Sequence, residues 1–135
     1  MHELSYTQVR PPYKRISEPV ETFNQLSQRL NELEEVGRAS RYYTGVEIKN
    51  NERDTIAIGL AAEGWLLIFD DHTHTNMRWS IGDEHALGDV EYQFQEWESL
   101  SKRHLIYKHE ALDTLQTWLE TGQLSNAVQW EDNPY

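Results

Sequence analysis

Residues 88–100, GDVEYQFQEWESL, set the fold when read together with their continuation, SKRHLIYKHEALDTLQTWLETGQ (101–123) and LSNAVQW (124–130). Val90, Tyr92 and Phe94 alternate with Asp89, Glu91, Gln93 and Gln95, the period-2 pattern of a strand with one buried and one wet face. A polar loop carrying Glu96, Trp97 and Glu98 comes next. Leu105-Ile106-Tyr107 then leads into a helix whose apolar positions Ala111, Leu112, Leu115, Trp118 and Leu119 share one broad side. Gly122 closes that helix, since only glycine enters the left-handed region without steric cost. Val128-Gln129-Trp130 leaves room for a short last strand. The module reads strand, loop, helix, strand.

Working outward, Leu4 to Val9 alternates weakly and reads as an edge strand ended by Pro11-Pro12. Ser17 reads as an N-cap with Glu18 and Pro19 in the first turn. The helix it opens places Phe23, Leu26, Leu30 and Leu33 at steps of three and four, and Gly37 closes it. From Arg41 the period returns to two. Thr44, Val46 and Ile48 oppose Gly45, Glu47 and Lys49, residues 50–54 turn, and Ile56, Ile58 and Leu60 alternate with the small Ala57, Gly59 and Ala61. Trp65 to Phe69 is apolar throughout, as a central strand covered on both faces would be. Residues 70–76 form a polar turn, Met77 to Ile81 a further strand, and 82–88 the turn into the closing module. The sum is an α+β domain spanning residues 1–135, a mainly antiparallel sheet of six or seven strands with two amphipathic helices packed on it.

A chain of 135 residues with five Trp, seven Tyr and three Phe can bury a real core. It has no cysteine, which excludes disulfides, thiolate metal sites and cysteine nucleophiles. No basic stretch followed by an apolar run opens the chain, and no apolar run nears the roughly 20 residues that span a bilayer, so a cytoplasmic location is expected. The net charge of −11 is unevenly placed. Residues 70–100 hold eight acids (Asp70, Asp71, Asp83, Glu84, Asp89, Glu91, Glu96 and Glu98) against Arg78 alone. Such a region repels nucleic acid and anionic membrane and attracts a basic protein. An acidic surface also serves solubility alone, the commoner role of such charge.

Candidate chemistry is sparse. Asp70, Asp71, His72 and His74, with His85 from the next turn, are the residues from which a metal site or a small metal-dependent hydrolase would have to be built. No third ligand is fixed by spacing, and a polar hairpin tip is the simpler reading; no metal or other cofactor is expected. The acids around Trp97 sit on wet surface, where the split pKa values of an acid–base pair do not arise. Ser80, Ser99 and Ser101 lie in no nucleophile elbow, and the seven glycines are scattered singly rather than gathered in a phosphate loop. No enzyme is expected. Trp65, Trp118 and Trp130 read as core, Trp79 as core or groove lining, and Trp97 either as an interface anchor with a charged rim or as a ring tucked under its loop.

The first helix, Ile56-Ala57-Ile58-Gly59, the Trp65–Phe69 strand and Trp79-Ser80-Ile81-Gly82 occur in a recognisable order. So do Val90-Glu91-Tyr92, Leu105-Ile106, Ala111, Trp118, Thr121-Gly122 and Val128-Gln129-Trp130. In that order and spacing, along most of its length, the chain resembles the Immunity protein 1 family of bacterial polymorphic toxin systems. It departs from the pattern in having Tyr107-Lys108-His109 and Gln123-Leu124-Ser125 where such chains often carry prolines, before the second helix and after its closing glycine. The resemblance implies a non-catalytic protein that binds and neutralises a cognate toxin domain, frequently a nucleic-acid deaminase; a nuclease or another toxin class is the alternative. It supplies no contact residues. Charge and inferred exposure place the expected toxin-binding surface on the 70–76 turn and residues 82–98. Asp70, Asp71, Asp83, Glu84, Asp89, Glu91, Glu96 and Glu98 would supply charge there, and Trp97 the apolar anchor.

Overall fold

The computed structural model describes residues 2–132. Nine strands and two α-helices follow one another as β1 (His2–Thr7), β2 (Arg15–Val20), α1 (Phe23–Arg38), β3 (Tyr43–Lys49), β4 (Thr55–Ala61), β5 (Gly64–Asp70), β6 (Met77–Ile81), β7 (Asp89–Gln93), β8 (Trp97–Ser101), α2 (Lys108–Thr121) and β9 (Gln129–Asp132). Seven strands form a continuous antiparallel path in the order β2-β1-β3-β4-β5-β6-β9. The hairpin β7–β8 leaves that path and joins it through a short parallel pairing of Tyr43 and Thr44 with Tyr92 and Gln93. The α+β architecture expected from the sequence is present, with more strands than the six or seven read there. No helix among the described residues is long and apolar enough to cross a membrane.

Two of the additional strands lie where a helix start and a loop were expected. Ser17 does not cap a helix. It lies in β2, opposite Ser5, with the two hydroxyls 3.2 Å apart. Pro19 is tolerated there because β2 is the sheet's edge and needs no second partner for its backbone. As a result β1, read as an edge, is covered on both sides. Helix α1 begins one turn later, at a capping box in which Thr22 accepts the Gln25 amide proton and Gln25 Oε1 accepts from the Thr22 and Glu21 amides. Similarly Glu96-Trp97-Glu98 is not all loop, since Trp97 opens β8.

One face of the sheet carries the helices. Val46, Ile48, Ile56, Ile58, Leu60, Trp65, Leu67 and Phe69 meet Leu26, Leu30 and Leu33 of α1 and Ala111, Leu115 and Trp118 of α2. Burying each Leu- or Ile-sized side chain contributes about 1.5–3 kcal/mol. A polar knot ties these layers together. Glu34 of α1 is buried, accepts the Trp65 indole N–H at 2.7 Å, and lies 3.5 Å from both Arg38 and Lys108. The Lys108 ammonium also sits over the Trp65 ring, 5.1 Å from its centre. Helix α2 ends as its sequence indicates, on Gly122 at φ 76°.

The hairpin packs on the opposite face. Val90, Tyr92, Phe94 and Leu100 meet Ala61, Leu66 and Trp79 there. The small residues that alternate through β3 and β4 make room for those aromatics. A Cβ on Gly59 would lie 2.6 Å from the Tyr92 ring, and one on Gly45 would lie 2.3 Å from the Phe94 ring. The rings of Tyr92 and Phe94 thus sit over the two sheet positions that carry no side chain, Gly59 and Gly45, and the hairpin's acidic edge is held at a defined place above the sheet.

Candidate acidic interface

The acids of residues 70–100 fall into three environments. Those of the 70–76 turn are engaged in building it. Asp70 Oδ2 lies 2.9 Å from His74 Nδ1. Asp71 Oδ1 accepts the Thr73 hydroxyl at 2.8 Å and the Thr73 and Thr75 amides at 3.2 Å. These bonds, the Thr73 hydroxyl first, hold the Asp71 carboxyl below its ordinary range. His72 turns to a different carboxylate, with Nδ1 3.2 Å from Asp54 Oδ1. His72 and His74 therefore do not converge, and among the described residues no three His, Asp or Glu side chains gather so as to hold a metal ion.

The second environment is the turn between β6 and β7. Asp83 accepts the His85 amide at 3.0 Å and Glu84 accepts from the Gln129 side chain at 3.2 Å. Asp83 lines a cleft with Tyr107 and Glu110 at the start of α2, separate from the cleft at the hairpin tip.

The hairpin is the third, and its pleat sorts its acids onto two faces. Asp89 and Glu91 stand opposite Ser101 and Ser99 and point outward. Trp97 shares that outer face, opposite Gln93; it is 51% exposed and its ring meets Tyr42 edge-on at 6.1 Å. Glu98 stands opposite the buried Tyr92, so it turns toward the sheet. There Glu98, Glu96 and Glu47 of β3 border a cleft of about 710 Å³ floored by Ala57, Ile68 and Phe94. Partial burial, then the charges of Glu96 and Glu47, push the Glu98 carboxyl above its ordinary range.

Pairing with Arg or Lys occurs among the acids outside residues 70–100 and, among the described residues, not within that stretch, although Glu3, Glu21, Glu52, Glu110, Asp113 and Glu120 are likewise unpaired. Glu18, Glu34, Glu47, Glu63 and Glu131 each lie beside an Arg or Lys. Among the described residues Asp83, Glu84, Asp89, Glu91, Glu96 and Glu98 form no ion pair, although all six are exposed. The structure thus brings Asp89, Glu91, Glu96, Trp97 and Glu98 onto one hairpin, ties Asp70 and Asp71 into their own turn, and gives Asp83 to another cleft. Two contributors were missed in the sequence, Glu47 and Tyr42. Glu47 is legible as a wet position on its strand, but only the hairpin's return across β3 shows what it faces. No protein-family profile matches the chain, and no curated protein matches it.

Proposed function

We propose that this chain is an immunity protein, which binds a cognate toxin domain and neutralises it by covering a basic, nucleic-acid-binding surface with the acidic hairpin. The observation that carries the reading is the set of unpaired carboxylates at 89, 91, 96 and 98 around the half-exposed Trp97. Fixed, uncompensated charge on a rigid hairpin costs self-repulsion in the free protein, a cost that a basic partner would relieve. An aromatic standing among such charges has the composition of an interface anchor. A toxin acting on nucleic acid needs cations around its site, and the chain's charge complements that requirement. The resemblance to the Immunity protein 1 family favours a deaminase as the toxin; the charge alone suits a nuclease equally. The reading assigns the chain no reaction of its own, and binding in the cytoplasm of the producing cell is part of it.

The test is co-expression with the toxin domain encoded in the neighbouring reading frame. Growth should recover when this chain is present and fail again when Asp89, Glu91, Glu96 and Glu98 are all changed to Lys. Growth arrest that the wild-type chain does not relieve would contradict the reading.

A further inference from the structure

Part of the sheet remains uncovered on the hairpin's side. Residues directly opposite one another across antiparallel strands share a face. Pairing therefore aligns Ser17, Ser5, Glu47, Ala57 and Ile68 in one row across β2, β1, β3, β4 and β5. The helices lie on the other face, and the hairpin's aromatics occupy the neighbouring row at Gly45 and Gly59. Ala57 and Ile68 are left half-exposed, with the hairpin tip, Phe94 to Glu98, as a wall beside them. The result is an apolar floor bordered by Glu47, Glu96 and Glu98.

We propose that this uncovered sheet face seats an extended basic segment of the partner protein, with one arginine side chain lowered between Glu47, Glu96 and Glu98. The proposal rests on the immunity reading for the identity of the partner, not for the site. Three features select the occupant. The carboxylates border a wide cleft without converging closely enough to hold a metal ion, which suits a planar guanidinium with five spread donors better than a point charge. The apolar floor suits the aliphatic stem that carries a guanidinium. The molecule also shows the same contact once within itself, where the Arg15 guanidinium lies 3.5 Å from Glu47 and donates to Thr7 at 3.3 Å. Glu96 and Glu98 have no such partner among the described residues, and partial burial, then the nearby charges of Glu96 and Glu47, raise the Glu98 carboxyl. A second copy of this chain would bring its own charge of −11 to the face and be repelled.

The test uses the full chain, isotopically labelled for NMR, titrated with a blocked pentapeptide of alternating valine and arginine. Counterparts in which citrulline or lysine replaces arginine serve as controls. Shifts should concentrate at Ala57, Ile68 and residues 94–98, and the citrulline peptide should not produce them. The lysine peptide should bind more weakly than the arginine one. Glu96→Gln with Glu98→Gln, both isosteric, should weaken binding about tenfold or more, through lost charge-assisted hydrogen bonds. Asp89→Asn with Glu91→Gln, on the outer face, should change it by less than about threefold at moderate salt. Ala57→Leu, which fills the floor without touching charge, should also weaken it. Shifts scattered over both hairpin faces, equal losses from the two acid pairs, or dimerisation through this face in sedimentation would overturn the proposal. Localised peptide binding by a chain that gives no growth protection supports the seat and removes the toxin reading. Protection without localised binding overturns the seat alone.

Discussion

Gly45→Ala tests how the hairpin is held. The added Cβ would lie 2.3 Å from Phe94 Cδ1 and 2.5 Å from Cγ. Carbon atoms pack best at about 3.5–4.0 Å, so the ring or the strand must retreat by roughly 1 Å or more. Phe94 is 5% exposed and has Tyr92 against it, ring centres 5.5 Å apart, so the ring has little free space to enter. Overpacking of this kind costs about 1–3 kcal/mol. Replacing glycine within a strand returns about 0.5–1 kcal/mol of backbone entropy. The net expectation is a loss of up to about 2.5 kcal/mol, centred on about 1 kcal/mol, or roughly 3–5 °C in Tm for a domain of this size. Thermal melts of Gly45→Ala, Phe94→Ala and the double variant form a cycle. Because the smaller side chain relieves the clash, the two changes should couple by about 1 kcal/mol or more. A Gly45→Ala protein that melts like the wild type, or strictly additive changes, would show that the hairpin does not depend on this contact.

Glu34→Ala should cost about 1–3 kcal/mol in urea unfolding, chiefly because it leaves the buried Trp65 N–H without its acceptor, the partly exposed Arg38 and Lys108 losing less. Glu34→Gln, whose amide oxygen can still accept from Trp65, should cost clearly less; equal losses would contradict the role given to that bond. Glu98 gives a pH signature with a definite sign. Its folded carboxyl is raised, so the folded state holds its proton to higher pH than the unfolded chain does, and ionisation works against folding. Relative to wild type, Glu98→Gln should therefore gain stability as pH rises from the ordinary glutamate range through the raised value. A Tm difference that is flat with pH would contradict this.

Much of this fold is legible because its signals are local. The second helix, its stop at Gly122 and the alternation through β3, β4 and β7 follow from periods of 3.6 and 2 within a short stretch of chain. Where the reading departs from the structure, the deciding term is long-range. Ser17-Glu18-Pro19 has good helix-start chemistry, yet pairing with β1 outweighs it and leaves the start to the capping residues Thr22 and Gln25. Trp97 and Glu98 read as loop because three of the five β8 positions are exposed, and their strand exists only through pairing with β7. The small residues of β3 and β4 are visible as a pattern, but their reason, the aromatics of a hairpin far along the chain, is not. The same gap separates the two halves of the candidate site. The acidity of residues 70–100 is compositional and plain. Its division into an outer face with Trp97 and an inner cleft with Glu47 depends on the hairpin's register and on where it crosses the sheet.

The most direct test of the central claim is the association rate of this chain with the neighbouring toxin domain, measured at low and moderate salt. Asp113→Lys on the exposed side of α2 is the charge-matched control; Asp113 has no ion pair or side-chain hydrogen bond among the described residues, so its loss disturbs no contact there. If the acidic hairpin steers the encounter, Asp89→Lys and Glu91→Lys should each slow association several-fold and flatten its salt dependence, while melting curves stay unchanged. Trp97→Ala should act mainly on dissociation, at a cost of about 2 kcal/mol or more if the ring is a central anchor. Should Asp113→Lys slow association as much as the two hairpin reversals do, net charge alone accounts for the attraction and the hairpin is not the interface.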